Sequence, residues 1–116
     1  LWYDVVDKPG EENNFHDASG SAMFLYLLIK AKELKLADAD LLSKRIKKAY
    51  EGLLSKTKAN PSDGFPDLYS ACDGVCVQKS YEDYVKYPQK VNAKEAVAGY
   101  LWATATYEGL QGKSVK

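Results

Sequence analysis

A small group of polar side chains precedes a long apolar run and is the first candidate for chemistry. His16, Asp17 and Ser19 come just before residues 22–29, which are all apolar. Asp and Ser favour helix starts because their side-chain oxygens accept hydrogen bonds from unpaired backbone N–H groups. Such N–H groups can also hold an anion such as a carboxylate. The group is therefore either an anion-binding site or a helix cap beside a solvated histidine.

A tyrosine-rich stretch is the second candidate. Tyr81, Tyr84 and Tyr87 recur every three residues, a spacing that places them on one side of a helical turn. Rings on one side of a turn can stack on sugar rings. They can equally pack a long loop onto the rest of the fold, and the sequence leaves both interpretations open.

The other reactive side chains form no recognised catalytic or metal-binding pattern. Carboxylates are scattered, and nothing in the sequence shows that two of them meet as an acid–base pair must. Cys72 and Cys76 with the single His16 are too few ligands for a structural zinc site. We predict that the cysteines are free thiols or core fillers, with a short-loop disulfide as the alternative. Phosphate-loop, nucleophile-elbow and zinc-helix motifs are absent, so no cofactor and no metal are expected.

Composition excludes several classes of partner. The chain has 116 residues, which favours one domain, and its 16 basic residues balance 16 acidic ones. A balanced charge gives no field for nucleic acid or an anionic membrane surface. The longest apolar run is far shorter than the ~20 residues that span a bilayer. We therefore expect neither a nucleic-acid partner nor a membrane partner.

Three helices are predicted. The first covers about residues 19–36, and the second, capped by Asp38 or Asp40, covers about residues 41–56 with one apolar face. The third runs over about 93–107, since Asn92 followed by Glu95 resembles a capping box and Gly109 is a stop signal. The short connection between the first two helices predicts a hairpin.

The remaining segments are irregular or β-leaning. Residues 1–7 are rich in Trp, Tyr and Val and lack a helical period. Residues 59–90 form a long loop with Pro and Gly throughout, which in a compact domain is usually functional. Two β-leaning patches within it, 68–69 and 75–77, are predicted to pair briefly.

The first and third helices lack a polar face and must therefore be enclosed by neighbouring helices. A chain of 116 residues can hardly surround two such helices alone. In a double-layered helical toroid, inner helices are covered all round and outer ones, like the second helix here, show a charged face to water. We therefore predict an all-α fold, a single segment (residues 1–116) from the C-terminal part of a larger toroid, in which Leu1 follows an internal cut.

The ordered motifs resemble a known family. Residues 1–7 (LWYDVVD) and 17–24 (DASGSAMF) resemble the later part of glycoside hydrolases of families 88 and 105, the unsaturated glucuronyl and rhamnogalacturonyl hydrolases. Gly52 within AYEGL, residues 81–84 (YEDY) and residues 92–94 (NAK) extend the resemblance. It covers nearly the whole chain but only about the final third of a typical member, and the loop around Cys72–Cys76 departs from the family pattern.

The resemblance implies a partial (α/α)6 barrel whose pocket holds an unsaturated uronic acid at the end of a lyase-generated oligosaccharide, of the pectin, rhamnogalacturonan or glycosaminoglycan type. Family members hydrate the enol-ether double bond with an Asp as general acid and base. That Asp and the residues holding the uronate have no counterpart in this segment, so no catalytic residue is assigned and the segment alone is expected to be inactive. Residues expected at the pocket rim are Trp2, His16, Asp17, Ser19, Tyr84, Asn92 and Lys94.

Partners and compartment follow from the same resemblance. An oligosaccharide is the expected substrate, and the apolar helix faces are expected to meet the rest of the barrel or a second copy. A bacterial cytoplasm or periplasm fits the family, although the sequence does not fix the compartment. The alternative function is a non-catalytic helical module that binds a protein partner or a carbohydrate.

Overall fold

Helices dominate the structure, a computed structural model that describes residues 1–74 and 76–112. Its elements follow each other in one order along the chain: α1 (Ala18–Glu33), α2 (Ala39–Leu54), β1 (Thr57–Ala59), β2 (Pro66–Leu68), α3 (Tyr81–Val85) and α4 (Lys94–Leu110). Within the described ranges, none of the helices combines the length and apolar character that a membrane span requires.

Helix α1 begins where the sequence predicts but ends three residues early. The Asp17 side chain accepts the N–H of Gly20 and caps the first turn. At the other end Lys35 adopts a positive φ of 55°, and the N–H of Leu36 reaches back to the carbonyl of Ala31. These bonds form a Schellman ending, which usually carries Gly at the position of Lys35 and was therefore missed.

Helix α2 is the amphipathic helix that the sequence predicts, although it begins two residues earlier. Asp38, one of the two expected caps, accepts the N–H of Leu41. The buried stripe consists of Leu42, Ile46, Ala49 and Leu53. Charged side chains cover the opposite face, so α2 can face water.

Helix α4 starts near the predicted position, but the capping box is wrong. Ala93 is the N-cap residue and its helix has no side-chain cap. Asn92 adopts a positive φ of 56°, and its side chain bonds instead to Leu68 and Asp67. The Asn92 side chain therefore bonds to residues of the distant hairpin, although the local pattern predicts that it caps α4.

Helix α1 is the centre of the packing, with α4 and α2 against it. Gly99 lets α1 and α4 approach closely, since a Cβ at this position would lie 3.3 Å from the Cβ of Ala22. Leu25 and Ile29 of α1 and Leu53 of α2 are fully buried. The core therefore lies between the three long helices.

Large apolar side chains of α1 and α4 remain exposed on the side away from this core. We call them the open face: Met23 (52% exposed), Leu27 (59%), Leu101 (58%) and Trp102 (70%). Tyr26 contacts Trp102 across the two helices, with ring centroids 6.0 Å apart. The described residues thus leave one side of each helix uncovered. This agrees with the sequence pattern, which predicts that α1 and α4 need neighbours beyond this segment.

The β-structure differs from the prediction. Residues 1–7 form no strand, only an isolated bridge between Tyr3 and His16. Side chains accept two of the backbone N–H groups there, since Trp2 donates to Ser21 Oγ and Val5 to Asn14 Oδ1, whereas Asp4 donates to the carbonyl of Phe15. These side-chain acceptors interrupt the backbone pairing that a strand would need.

The long loop contains a different hairpin from the predicted one. Leu68 pairs with Thr57 in an antiparallel β1–β2 hairpin. Pairing of 68–69 with 75–77 is therefore wrong for Leu68, and Val75 lies outside the described residues. The loop also contains the short helix α3.

Candidate functional site

A small polar cavity of about 130 Å³ collects the densest group of reactive side chains. We call it the acidic cavity, and its walls come from the N-terminal segment, the start of α1 and the loop leading to and past α3. Its lining residues are Asp4, Asp17, Ser19, Cys72, Gly74, Cys76, Gln78, Tyr84 and Tyr87.

Asp17 is held rigidly at the wall of the acidic cavity. It is only 8% exposed, and its Oδ2 accepts hydrogen bonds from the N–H of Gly20 and the hydroxyl of Ser19, both at 2.6 Å. Its Oδ1 accepts the N–H of Cys72 at 3.4 Å. Because this carboxylate already occupies the N–H of the first turn, the helix start works as a cap here rather than as an anion site.

Asp4 faces Asp17 across the cavity wall. Its backbone N–H donates to the carbonyl of Phe15, which fixes the segment beside the start of α1. Oδ1 accepts the thiol of Cys72 at 3.3 Å, whereas Oδ2 is buried and has no hydrogen-bond partner among the described residues. Burial, aided by the negative charge of Asp17, raises the pKa of Asp4 despite the thiol hydrogen bond.

Ser70 brings the cysteine loop to this place. Its hydroxyl donates to the carbonyl of His16 at 2.8 Å, and its carbonyl accepts the N–H of Ala18 at 2.7 Å. Two residues later, Cys72 meets both carboxylates. Ser70 also adopts a positive φ of 63°, and the chain turns at this residue.

The two cysteines are free, as predicted, but they differ in surroundings. Burial, together with the hydrogen bond to Asp4, raises the pKa of Cys72 to about 12. Its thiol therefore stays protonated and unreactive at neutral pH. Cys76 is exposed, and its Sγ lies 3.6 Å from the hydroxyl of Tyr87.

The tyrosine spacing is only partly reflected in the fold. Tyr84 and Tyr87 both line the acidic cavity. Tyr81 instead donates its hydroxyl to the carbonyl of Glu12 at 2.8 Å and ties α3 to the N-terminal loop. One tyrosine thus packs the loop while two face the cavity, so each of the two interpretations fits part of the stretch.

Trp2 and His16 lie outside the acidic cavity. The ring of Trp2 packs against Phe24, with centroids 5.1 Å apart, and lines a separate cavity of about 200 Å³. The imidazole of His16 packs on the ring of Tyr3, with centroids 4.3 Å apart. Burial, with nearby positive charge, lowers the pKa of His16 and so favours its neutral form.

Asn92 and Lys94 line a third and larger cavity of about 680 Å³ between the β1–β2 hairpin and α4. The Asn92 amide donates to Asp67 at 2.7 Å and accepts the N–H of Leu68 at 2.8 Å, so it braces the hairpin. Phe65 projects at the rim and is 72% exposed. The fold therefore brings together Asp17, Ser19 and Tyr84 but not the other four predicted residues.

Asp4 and Cys72 are residues of the acidic cavity that the sequence did not assign to the site. Asp4 and Cys72 are separated by 68 positions, and no local spacing connects them. Asp4 stands within the LWYDVVD stretch, but its neighbours there give no sign of its partners. The chemistry of the cavity is acidic, with two carboxylates that can accept hydroxyl groups and that disfavour a second anion.

Comparisons with known proteins agree with the helical architecture. A model of Glycosyl Hydrolase Family 88 matches residues 1–111. The chain is also similar to a solved glycoside hydrolase of family 105 from C. acetobutylicum ATCC 824, with 28% sequence identity and a TM-score of 0.83. That match covers 94% of this chain and 32% of the other, so the chain spans about a third of the length of the enzyme it resembles. The predicted partial (α/α)6 barrel is thereby confirmed.

Proposed function

Because the chain belongs to glycosyl hydrolase family 88, we propose that it forms the C-terminal part of an unsaturated uronyl hydrolase. The substrate would be an oligosaccharide with an unsaturated uronic acid at its end, of the pectin, rhamnogalacturonan or glycosaminoglycan type. The observation that carries this proposal is the family match over residues 1–111, supported by the likeness to a family 105 enzyme.

The reaction would be hydration rather than displacement at the anomeric carbon. A general acid protonates one carbon of the enol-ether double bond, and water adds its hydroxyl to the other carbon. The resulting hemiketal opens and releases the next sugar, so no residue is oxidised or reduced. None of the residues in this segment is assigned to the proton transfer.

The rest of a larger barrel is the proposed partner of the open face. Met23, Leu27, Leu101 and Trp102 form an apolar surface of the kind that monomers rarely leave uncovered. A barrel three times as long as this chain, as in the matched enzyme, has further helices to cover it. We therefore expect the segment alone to be inactive and to self-associate through this surface.

The acidic cavity is the proposed contact with the sugar. Asp17 and Ser19 are preorganised hydrogen-bonding groups, and Tyr84 adds an aromatic side chain to the same wall. Two carboxylates suit the hydroxyls of a sugar better than its carboxylate. Lys94, in the neighbouring cavity, is the proposed cationic contact, whereas Trp2, His16 and Asn92 are proposed to support the rim.

The proposal is tested with the full-length parent protein and unsaturated disaccharides from pectin, rhamnogalacturonan and glycosaminoglycans. Hydration removes the conjugated double bond, so ultraviolet absorbance should fall with time for at least one of these substrates. The saturated disaccharide is the control and should be left uncleaved. Unchanged absorbance with every unsaturated disaccharide would contradict the proposal and favour a binding module.

The role of the cavity is tested separately with Tyr84→Phe in the same parent protein. Loss of one hydroxyl contact to the sugar should raise KM by roughly threefold to tenfold, about 1 kcal/mol, with little change in kcat. Ser62→Ala, on the exposed turn of the β1–β2 hairpin, is the matched hydroxyl control. An unchanged KM for Tyr84→Phe would show that the hydroxyl of Tyr84 does not contact the sugar.

A further inference from the structure

We propose that Trp2, Arg45 and Lys48 form a second saccharide-binding site, which takes one acidic sugar unit of a polysaccharide. These residues line a cavity of about 200 Å³ together with Leu1 and Ala49. The cavity lies between the N-terminal segment and α2, and it shares none of its lining residues with the acidic cavity. The inference does not depend on the proposed hydration reaction.

Positive charge is concentrated on and just after α2, although the whole chain is neutral. Residues 41–58 contain six basic residues and one acidic residue, whereas the complete chain has 16 of each sign. The acidic residue is Glu51, which pairs with Lys47 at 3.9 Å. Among the residues that the structure describes, none of the ion pairs includes Arg45 or Lys48. These two cations are therefore available to an external anion.

The charged face of α2 faces water in the barrel as well as in this segment. Its buried stripe is turned toward α1, and Arg45 and Lys48 are exposed on another side. A helix with one apolar stripe belongs to the outer layer of a double-layered toroid and keeps its charged side in water. The open face, which the rest of the barrel is proposed to cover, lies on α1 and α4 instead.

The fold holds Trp2 beside α2. Leu1 packs on α2 at Gly52, where a Cβ would lie 3.1 Å from Leu1 Cγ. The N–H of Trp2 donates to Ser21 Oγ at 3.0 Å, and its carbonyl accepts the N–H of Asp17 at 3.1 Å. The backbone of Trp2 thus supports the start of α1, while its side chain is positioned at the second cavity before any ligand binds.

An aromatic ring beside two cations suits an acidic sugar. The face of an indole packs on the C–H groups of a pyranose, and a guanidinium binds a carboxylate through two parallel hydrogen bonds. Arg45 and Lys48 are three positions apart on α2, so their side chains lie on the same side of the helix. A uronate unit carries both features that this cavity recognises, a sugar ring and a carboxylate.

The size of the cavity favours a single sugar unit over a nucleic acid. Pockets for drug-sized ligands enclose roughly 300–1,000 Å³, and this cavity is smaller, at about 200 Å³. It therefore holds one ring of a longer chain. A single-stranded nucleic acid instead needs a basic groove with several aromatic platforms along its backbone, whereas Trp2 is the one aromatic residue that lines this cavity.

The test is isothermal titration calorimetry of the full-length parent protein with saturated tetragalacturonate, at an ionic strength of about 0.15 M. Fully methyl-esterified tetragalacturonate is the matched ligand, because it keeps the rings and loses the charges. A single-stranded oligonucleotide of equal charge tests for general polyanion binding. The variants are Arg45→Gln, Lys48→Gln and the double variant, with Lys8→Gln in the exposed N-terminal loop as the control.

Wild type and Lys8→Gln should bind tetragalacturonate alike, and the methyl ester at least about tenfold more weakly. Each single variant should weaken binding about twofold to fivefold, as expected of exposed charges. The double variant should lose one equivalent of bound saccharide. Circular dichroism checks that the variants are folded, which their exposed positions favour. No binding by wild type, unaltered binding by the double variant, or equally tight binding of the oligonucleotide would overturn the proposal.

The same variants separate this site from the proposed reaction. Arg45→Gln and Lys48→Gln should hydrate the unsaturated disaccharide as fast as wild type, because neither side chain lines the acidic cavity. A parent protein that binds tetragalacturonate through Arg45 and Lys48 but leaves the ultraviolet absorbance unchanged would support this site and contradict only the proposed function.

Discussion

At the scale of single residues, Asp17 performs the role that the sequence predicts most directly. A helix cap is a local feature, because the capping oxygen and the N–H that it accepts lie three residues apart. The prediction therefore needed only residues 17–20. Asn92 shows the opposite case, because its amide meets Leu68 and Asp67 from a distant hairpin. No local pattern contains those partners, so the predicted capping box was wrong.

Loss of the Asp17 cap should destabilise the whole domain. Asp17→Ala removes the acceptor for both Gly20 N–H and the Ser19 hydroxyl in a buried place. We expect the free energy of unfolding to fall by about 2 kcal/mol, the upper end for an N-cap. Urea denaturation measures it, with Asp17→Asn as the control that keeps an acceptor oxygen. Equal losses for both variants would contradict the capping role.

Asp4 should give the protein a characteristic pH dependence. The fold raises the pKa of Asp4 above its ordinary value of 3.8, so between the two values the folded state binds more protons than the unfolded state. Unfolding free energy therefore falls as pH rises through that window and stays lower above it. Asp4→Asn should therefore raise the unfolding temperature at neutral pH.

That gain should disappear below pH 3.8, where Asp4 is protonated in both states. Thermal unfolding followed by circular dichroism over a pH series gives the comparison. Asp7→Asn removes an exposed acid from the same segment and should change little. A gain that is independent of pH would show that the charge of Asp4 is not its cause.

At the scale of elements, helix type was predictable and helix ends were less so. The amphipathic period of α2 and the all-round apolar pattern of α1 and α4 follow from burial alone. The end of α1 could not be predicted in this way, because Lys35 adopts the left-handed conformation that usually requires Gly. The β1–β2 hairpin was missed because both of its strands have only three residues.

The contact between α1 and α4 depends on Gly99. A Cβ there would lie 3.3 Å from Ala22 Cβ, so a branched side chain must force the helices apart. Gly99→Val should lower the free energy of unfolding by about 1–3 kcal/mol. Gly109→Ala is the matched control, since a Cβ there meets nothing, and it should gain up to about 1 kcal/mol. If Gly99→Val and Gly109→Ala changed the free energy of unfolding equally in urea denaturation, the close approach of α1 and α4 at Gly99 would be contradicted.

At the level of the whole molecule, the sequence predicted that two helices need neighbours, but of the acidic cavity it predicted only Asp17, Ser19 and Tyr84. The apolar pattern of α1 and α4 is present in the residues themselves. The acidic cavity instead depends on Asp4 and Cys72, which are 68 positions apart. The contact between Cys72 and the two aspartates depends on the fold of the whole segment, so it cannot be predicted from local sequence patterns.

In the proposed arrangement, the open face is an interior surface of a larger helical barrel. Hydroxyl-radical footprinting, read by mass spectrometry of the peptide that carries Trp102, tests it most directly. Trp102 is 70% exposed in this chain, and Leu36, 72% exposed between α1 and α2, is the reference. We predict that Trp102 is oxidised at least about tenfold more slowly in the full-length parent than in a monomeric preparation of this chain, while Leu36 is unchanged. Equal oxidation of Trp102 in both would show that the barrel does not cover the open face.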